Sequence, residues 1–278
     1  MKIVSTIREV RAWHASAPGS LGLVPTMGFL HAGHISLVEH ARHENASVAA
    51  SIFVNPTQFG PKEDLARYPR DLPRDLRLLE DAGCDLVFAP EVAEMYPAGA
   101  DTFIAPGKVA EPLEGVRRPG HFRGVATVVA KLLNIVQPAR AYFGEKDAQQ
   151  LAVIRAMARH LDMAVEIVGC PIVREPDGLA MSSRNSYLTP EERRAAPVLF
   201  RALGAARELW QLGERQGERL RAEMRRVVEA EPLARLDYAS VADPETFQEL
   251  DHIEGAARLL LAAFLGRARL IDNLLLET

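Results

Sequence analysis

The sequence predicts a Rossmann-like α/β protein, with a doubly wound parallel sheet over residues 1–185 and a smaller C-terminal α+β domain over 186–278. Three observations carry this. Up to about residue 168, short apolar runs alternate with helical patterns, as in a parallel sheet wrapped by helices. Near residue 185 the alternation stops at Thr189-Pro190-Glu191-Glu192, where an N-cap Thr, Pro at the first helical position and Glu at the third form a capping box that opens a new unit. Helices then precede strands, the order of an α+β unit.

The elements follow in order. A helical pattern at 6–15 precedes the apolar run Leu21-Gly22-Leu23-Val24, which the turn Pro25-Thr26-Met27-Gly28 closes. A helix is expected at 33–44, a strand at 47–54, a helix at 71–82 and a strand at 85–89. Helices at 125–136 and 148–160 then alternate with strands at 139–143 and 165–168. Beyond the capping box, charged amphipathic helices at 191–212 and 214–230 lead into β-like runs at 236–242, 258–265 and 269–276. No internal repeat or low-complexity segment interrupts this order.

Composition narrows the class. A chain of 278 residues, 48% hydrophobic and 25% charged, suffices for one large or two modest cores. A net charge of −4 gives no global basic field, so neither DNA nor RNA is expected as a stable partner. No apolar stretch of about 18 residues occurs and the N-terminus does not read as a signal peptide, so a cytoplasmic protein without membrane association is expected. Cys84 and Cys170 lie far apart in apolar settings and read as buried reduced thiols rather than a disulfide. Only five of the 33 basic residues are Lys, a bias that genome composition and heat adaptation explain equally well.

The chemistry concentrates at strand-to-helix corners. His31-Ala32-Gly33-His34 opens a helix, and residues three apart on a first turn share a face. Both imidazoles can therefore point into one cleft, where Gly33 lets a ligand approach the backbone and helix N-terminal amides suit phosphate. This pattern suggests a nucleoside triphosphate attacked at its α-phosphate. A zinc site would more often space its His four apart and would need further ligands.

Asn55-Pro56-Thr57-Gln58 follows the third strand, where Asn55 and Gln58 can hydrogen-bond a neutral or hydroxylated substrate; a plain Asn-Pro turn is the alternative. Gly144-Glu145-Lys146-Asp147 is a third such corner. Lys146 can reach phosphate as a point charge or lie on the surface, and Asp147 can hold Mg²⁺ or cap the helix that carries Gln149 and Gln150. Met181-Ser182-Ser183-Arg184 is expected as an exposed, mobile linker between the domains, with hydroxyls and a guanidinium suited to the β- and γ-phosphates of ATP; a solvated linker is the alternative. The basic loop 117–124, with Arg118, binds an anion or forms a solvated turn, and the residues favour neither.

Taken in order, these blocks resemble the pantothenate synthetase (pantoate–β-alanine ligase) family, of the nucleotidyltransferase superfamily related to class I aminoacyl-tRNA synthetases. The resemblance runs over essentially the whole chain: Pro25-Thr26-Met27-Gly28 with His31-x-Gly33-His34, Ser51-Ile52-Phe53-Val54-Asn55-Pro56, Gln58-Phe59, Tyr68-Pro69-Arg70, Arg118-Pro119-Gly120-His121-Phe122, Gly144-Glu145-Lys146-Asp147 with Gln149-Gln150, and Asp177-Gly178-Leu179-Ala180-Met181-Ser182-Ser183-Arg184-Asn185. It implies ATP-dependent condensation of pantoate with β-alanine through a pantoyl adenylate, with release of AMP and pyrophosphate. Mg²⁺ would accompany ATP. The resemblance assigns ATP to Met27, Gly28, His31, Gly33, His34, Gly144, Glu145, Lys146, Asp147, Val173, Met181, Ser182, Ser183 and Arg184. His34 would be the catalytic histidine, supported by His31, Lys146 and Arg184, while Gln58 and Gln150 would hold pantoate.

A homodimer through the larger domain is also implied. Ala32, Thr57 and Ala148 depart from residues common in the family, but each flanks a functional position rather than replacing one. Two other readings stand beside this one: another small carboxylate-adenylating or nucleotidyl-transferring enzyme on the same fold, and a non-enzymatic nucleotide- or RNA-binding module. The second fits poorly with the acidic net charge.

Overall fold

Parallel pairing organises the first part of the chain. The computed structural model describes residues 1–61 and 63–277, so Lys62 and Thr278 fall outside the description. The chain divides into two compact units, the first comprising residues 1–145 and 149–171 and the second residues 146–148 together with 172 onward.

The first unit runs β1 (Lys2–Val4), α1 (Ile7–His14), β2 (Leu21–Thr26), α2 (Ala32–Glu44), β3 (Ser47–Ile52), α3 (Leu72–Asp81), β4 (Leu86–Phe88), the short α4 (Val92–Met95) and α5 (Glu114–Arg117), α6 (His121–Val136), β5 (Arg140–Gly144), α7 (Ala148–His160) and β6 (Glu166–Cys170). Its six strands lie in the order β1-β4-β3-β2-β5-β6, and every neighbouring pair is parallel. Strand alternation explains the apolar runs: Leu23, Leu86 and Phe88 pack on one face with Val10 and Val129, whereas Val24 and Val87 pack on the other with Val38 and Leu79. Both faces are covered, so neither can be polar. Cys84 and Cys170 are buried and free, and burial pushes their thiols up to about 12 and about 11, respectively.

The second unit contains α8 (Pro190–Ala195), α9 (Val198–Gln211), α10 (Gly217–Glu229), β7 (Ala234–Ala242), β8 (Ala257–Leu265) and β9 (Ala268–Leu276). Its strands form an antiparallel sheet in the order β7-β8-β9. Leu259, Leu261 and Ala263 of β8 pack with Leu199 and Leu203 of α9 and Leu220 and Met224 of α10.

The expected alternation is present, with several differences besides the short α4 and α5. β1 escapes periodicity because it is only three residues long and buries Val4 alone. α6 begins at His121, four residues before the expected start, because Gly120 takes a left-handed φ of 83° as its N-cap. The helix expected at 191–212 is two helices, broken where Pro197 has no N–H to continue the ladder. Residues 172–185, expected in the first domain, belong to the second unit. Arg174 bridges to Ala180 and pairs with Asp272 of β9, and Leu179 enters the second core.

Candidate active site

β2 and β3 end side by side, at Thr26 and Ile52. Thr26 joins the two exits: its hydroxyl donates to Ser51 O at 2.7 Å and accepts from Gly28 N at 3.2 Å. The chain then turns through positive φ at Gly28 (82°) and Phe29 (51°) before α2 begins. Asp75, on α3, holds this turn. Its carboxylate accepts from Phe29 N at 2.7 Å and from Leu30 N at 2.8 Å, and Arg74 donates to Leu30 O at 2.9 Å. A Cβ on Gly28 would come within 3.1 Å of both Asp75 Oδ2 and Ile52 Cγ2, so the turn needs glycine for space as well as for φ. Asp75 is 1% exposed, and burial raises its pKa against the opposing pull of the two amides and Arg74.

That turn delivers His31 as the N-cap of α2 and His34 at its third position. Their rings stand 4.0 Å apart, and His34 Nδ1 accepts from His31 N at 3.3 Å. An accepting Nδ1 carries no proton, so the neutral ring has its proton on Nε2, a donor suited to a phosphate oxygen. The first-turn amides of α2 add the dipole's positive end. Met27, Gly28, His31, Gly33 and His34 are thus gathered on one corner.

On the neighbouring exit, Asn55 caps the short turn Pro56–Gln58. Asn55 Oδ1 accepts from Thr57 N, Thr57 Oγ1 and Tyr96 Oη, while Nδ2 donates to Gln58 Oε1 at 3.0 Å and Gly124 O at 3.2 Å. Asn55 is therefore engaged on both amide ends by the protein and acts as the scaffold of Gln58. Gln58 itself is buried, and its Nε2 donates to Met27 Sδ at 3.1 Å. A thioether is a weak acceptor, so this amide can exchange it for a substrate oxygen.

Arg118 is committed in the same way. Its Nε and Nη2 donate to Glu63 at 2.8 and 2.7 Å, and Nη1 lies 3.0 Å from His121 Nε2. Gln150 is half-buried on α7. Its neighbour Gln149 is buried and binds the backbone of Val109, Pro112 and Glu114, so it holds a loop. β5 ends at Gly144, followed by half-buried Glu145.

In the second unit Lys146 Nζ pairs with Asp147 at 3.7 Å, and Asn273 Nδ2 of β9 donates to Lys146 O at 3.0 Å. The segment expected as an exposed linker is instead a short helix, Ser183–Tyr187, with Ser182 as its N-cap. Met181, Ser182 and Arg184 are half-buried and Ser183 is buried. Met181 N donates to Val173 O and the Asn185 side chain, through Nδ2, to Ala180 O, so the segment is hydrogen-bonded inside its own unit. Lys146, Ser182 and Asp272 line a common hollow with Leu179 and Asn185. Among the described residues no group of three or more His, Cys, Asp or Glu could hold a metal ion. Sequence reasoning missed Asp75, Tyr96 and Asn273, which act across long chain separations and carry no local motif, and it placed His121 in a quoted block without giving it a role.

A parallel α/β sheet with polar side chains at the carboxyl ends of adjacent central strands, beside a helix N-terminus bearing two imidazoles, defines a nucleotide-binding class of enzyme. The chain belongs to the pantoate-beta-alanine ligase family, whose model matches residues 2–275. It is 63% identical to the pantothenate synthetase of Roseiflexus castenholzii, with 100% of each chain covered. It superposes on the crystal structure of pantothenate synthetase from Thermus thermophilus with a TM-score of 0.94, at 53% identity over 99% of each chain. A pantoate-beta-alanine ligase from Francisella tularensis, crystallised with beta-gamma ATP and beta-alanine, superposes with a TM-score of 0.81 at 36% identity, covering 99% of this chain and 97% of that one.

Proposed function

We propose that the chain joins pantoate to β-alanine at the expense of ATP, through a pantoyl adenylate, releasing AMP and pyrophosphate. The main support beyond family membership is the pairing of two adjacent strand exits: the His31–His34 corner, suited to phosphate, and Gln58, whose buried amide nitrogen donates to the thioether of Met27. In this reading a pantoate carboxylate oxygen attacks the α-phosphorus and the bond to pyrophosphate breaks. The β-alanine amine then attacks the acyl carbon, AMP departs with the bonding pair, and the amine proton passes to solvent. A carboxylate is already a nucleophile, so the protein's task is alignment and neutralisation of phosphate charge.

His34 Nε2–H, assisted by His31, donates to the α-phosphate oxygen. Lys146 and Arg184 are the further catalytic charges, and Gly144, Glu145, Asp147, Val173, Met181, Ser182 and Ser183 complete the residues that the family resemblance assigns to ATP. Gln58 and Gln150 hydrogen-bond pantoate, whereas Asn55 and Arg118, both occupied by protein groups, support the site instead of touching substrate. Mg²⁺ would accompany ATP; Asp147 would help to hold it, and it would neutralise phosphate charge. No helix among the described residues is long and apolar enough to cross a membrane; we assign the enzyme to the cytoplasm and to a homodimer formed by the larger unit. The family match does not favour another carboxylate-adenylating activity.

The test is ATP–pyrophosphate exchange. Exchange that depends on pantoate and proceeds without β-alanine is expected. Exchange that requires β-alanine would remove the stepwise route, and exchange driven equally by other carboxylic acids would remove pantoate as the substrate.

A further inference from the structure

His121, at the first turn of α6, is 7% exposed, and the hydrogen-bond partners of its ring, Arg118 and Gln58, are not among the residues that the resemblance assigns to ATP. Its ring lies between two fixed partners: Nδ1 is 2.9 Å from Gln58 O and Nε2 is 3.0 Å from Arg118 Nη1. A guanidinium only donates, so Nε2 accepts and the proton sits on Nδ1, where it donates to Gln58 O. Glu63 holds Arg118 through two hydrogen bonds, which fixes the guanidinium that sets this tautomer.

The same helix supports the turn a second time. Gly124 O accepts from Asn55 Nδ2, and a Cβ on Gly124 would lie 2.4 Å from Thr57 O, so only glycine lets the turn approach this closely. We propose that His121 is a positioning residue for pantoate recognition: oriented by Arg118 and Glu63, it anchors the Pro56–Gln58 turn so that the Gln58 side-chain amide faces the substrate. Burial and the Arg118 charge push the His121 pKa down to about 4, against Glu63 and Glu114, so the ring remains neutral and keeps its single donor through the neutral range.

The inference rests on the assignment of Gln58 to pantoate, and a double-mutant cycle separates the two. Loss of one buried hydrogen bond from His121→Leu should raise the pantoate KM roughly 10-fold, with the ATP KM changed less than about twofold. His121→Asn places an amide donor near the Nδ1 position and should restore the pantoate KM to within about threefold of wild type. Because His121 acts through Gln58, adding His121→Leu to Gln58→Ala should change the pantoate KM by less than about twofold.

Full additivity in that cycle, parallel rises in both KM values, or a normal pantoate KM in His121→Leu beside an impaired Gln58→Ala would each overturn the role of His121. A normal pantoate KM in Gln58→Ala would instead remove the assignment of Gln58, and the inference with it. If circular dichroism shows His121→Leu unfolded, the same cycle is read on Arg118→Met, which keeps the ring and removes the donor that orients it.

Discussion

The corner bearing His31 and His34 and the segment bearing Lys146 with Ser182–Arg184 both present groups suited to phosphate, yet they are fixed in opposite ways. The first is a strand-to-helix exit, shaped by residues 26–34 and clamped by one carboxylate, Asp75. The second hangs on β9, near the end of the chain: Asp272 receives Arg174 at 2.6 and 2.9 Å, and Asn273 holds the Lys146 carbonyl. A site made mainly by a local turn depends on few distant groups, here Asp75 and Arg74. One made by distant tethers fails when a tether does.

The largest effect should come from breaking the distant tether. Asp272 is 3% exposed, and burial already raises its pKa despite Arg174, so Arg174→Ala would strand a buried carboxyl. A loss of about 3–5 kcal/mol is expected in urea unfolding. A loss below about 1 kcal/mol would show that the second unit does not depend on this pair.

The local corner should behave differently. His34→Ala is expected to slow adenylate formation roughly 10²–10³-fold, the effect of removing one preorganised donor, with the unfolding midpoint near wild type. His34 is only half-buried, so an inactive variant that is also unfolded would contradict the contrast between the two regions.

The smallest effect is a titration. His121 has a folded-state pKa near 4, below the ordinary imidazole value of 6.5, so the unfolded chain takes up the proton first. Its contribution to stability is therefore complete above about pH 6.5 and declines by up to about 3 kcal/mol as the pH falls towards 4. Burial sets this shift and the Arg118 charge adds to it, while the hydrogen bond to Gln58 O and the charges of Glu63 and Glu114 oppose it. Stability curves of wild type and His121→Asn should diverge only in that window, because the amide does not titrate. Parallel curves would place the acid sensitivity elsewhere.

These contrasts match what could be read in advance. The parallel sheet was legible because strands buried on both faces leave continuous apolar runs, as in β2, and the His pair because a helix start forces residues three apart onto one face. The loop expected over 117–124 is in part a helix: Gly120 and Gly124 look like turn residues, yet one starts α6 and the other lets it pack against Thr57. The polar segment 181–185 resembled a linker because its backbone partners, Val173 and Ala180, give no sign of pairing in one dimension.

Local order along the chain was thus sufficient for the succession of strands and helices, for the corners at 31–34 and 55–58, and for the family. Folding alone settled that Asn55 and Arg118 are held by protein groups, that Asp75 clamps the His corner, and that Lys146 belongs with a strand 127 residues further on. The reason is physical. Periodicity and capping act over a few residues and leave their mark in sequence, whereas a buried side chain's partner is chosen by whichever distant group can satisfy its hydrogen bonds once water is excluded.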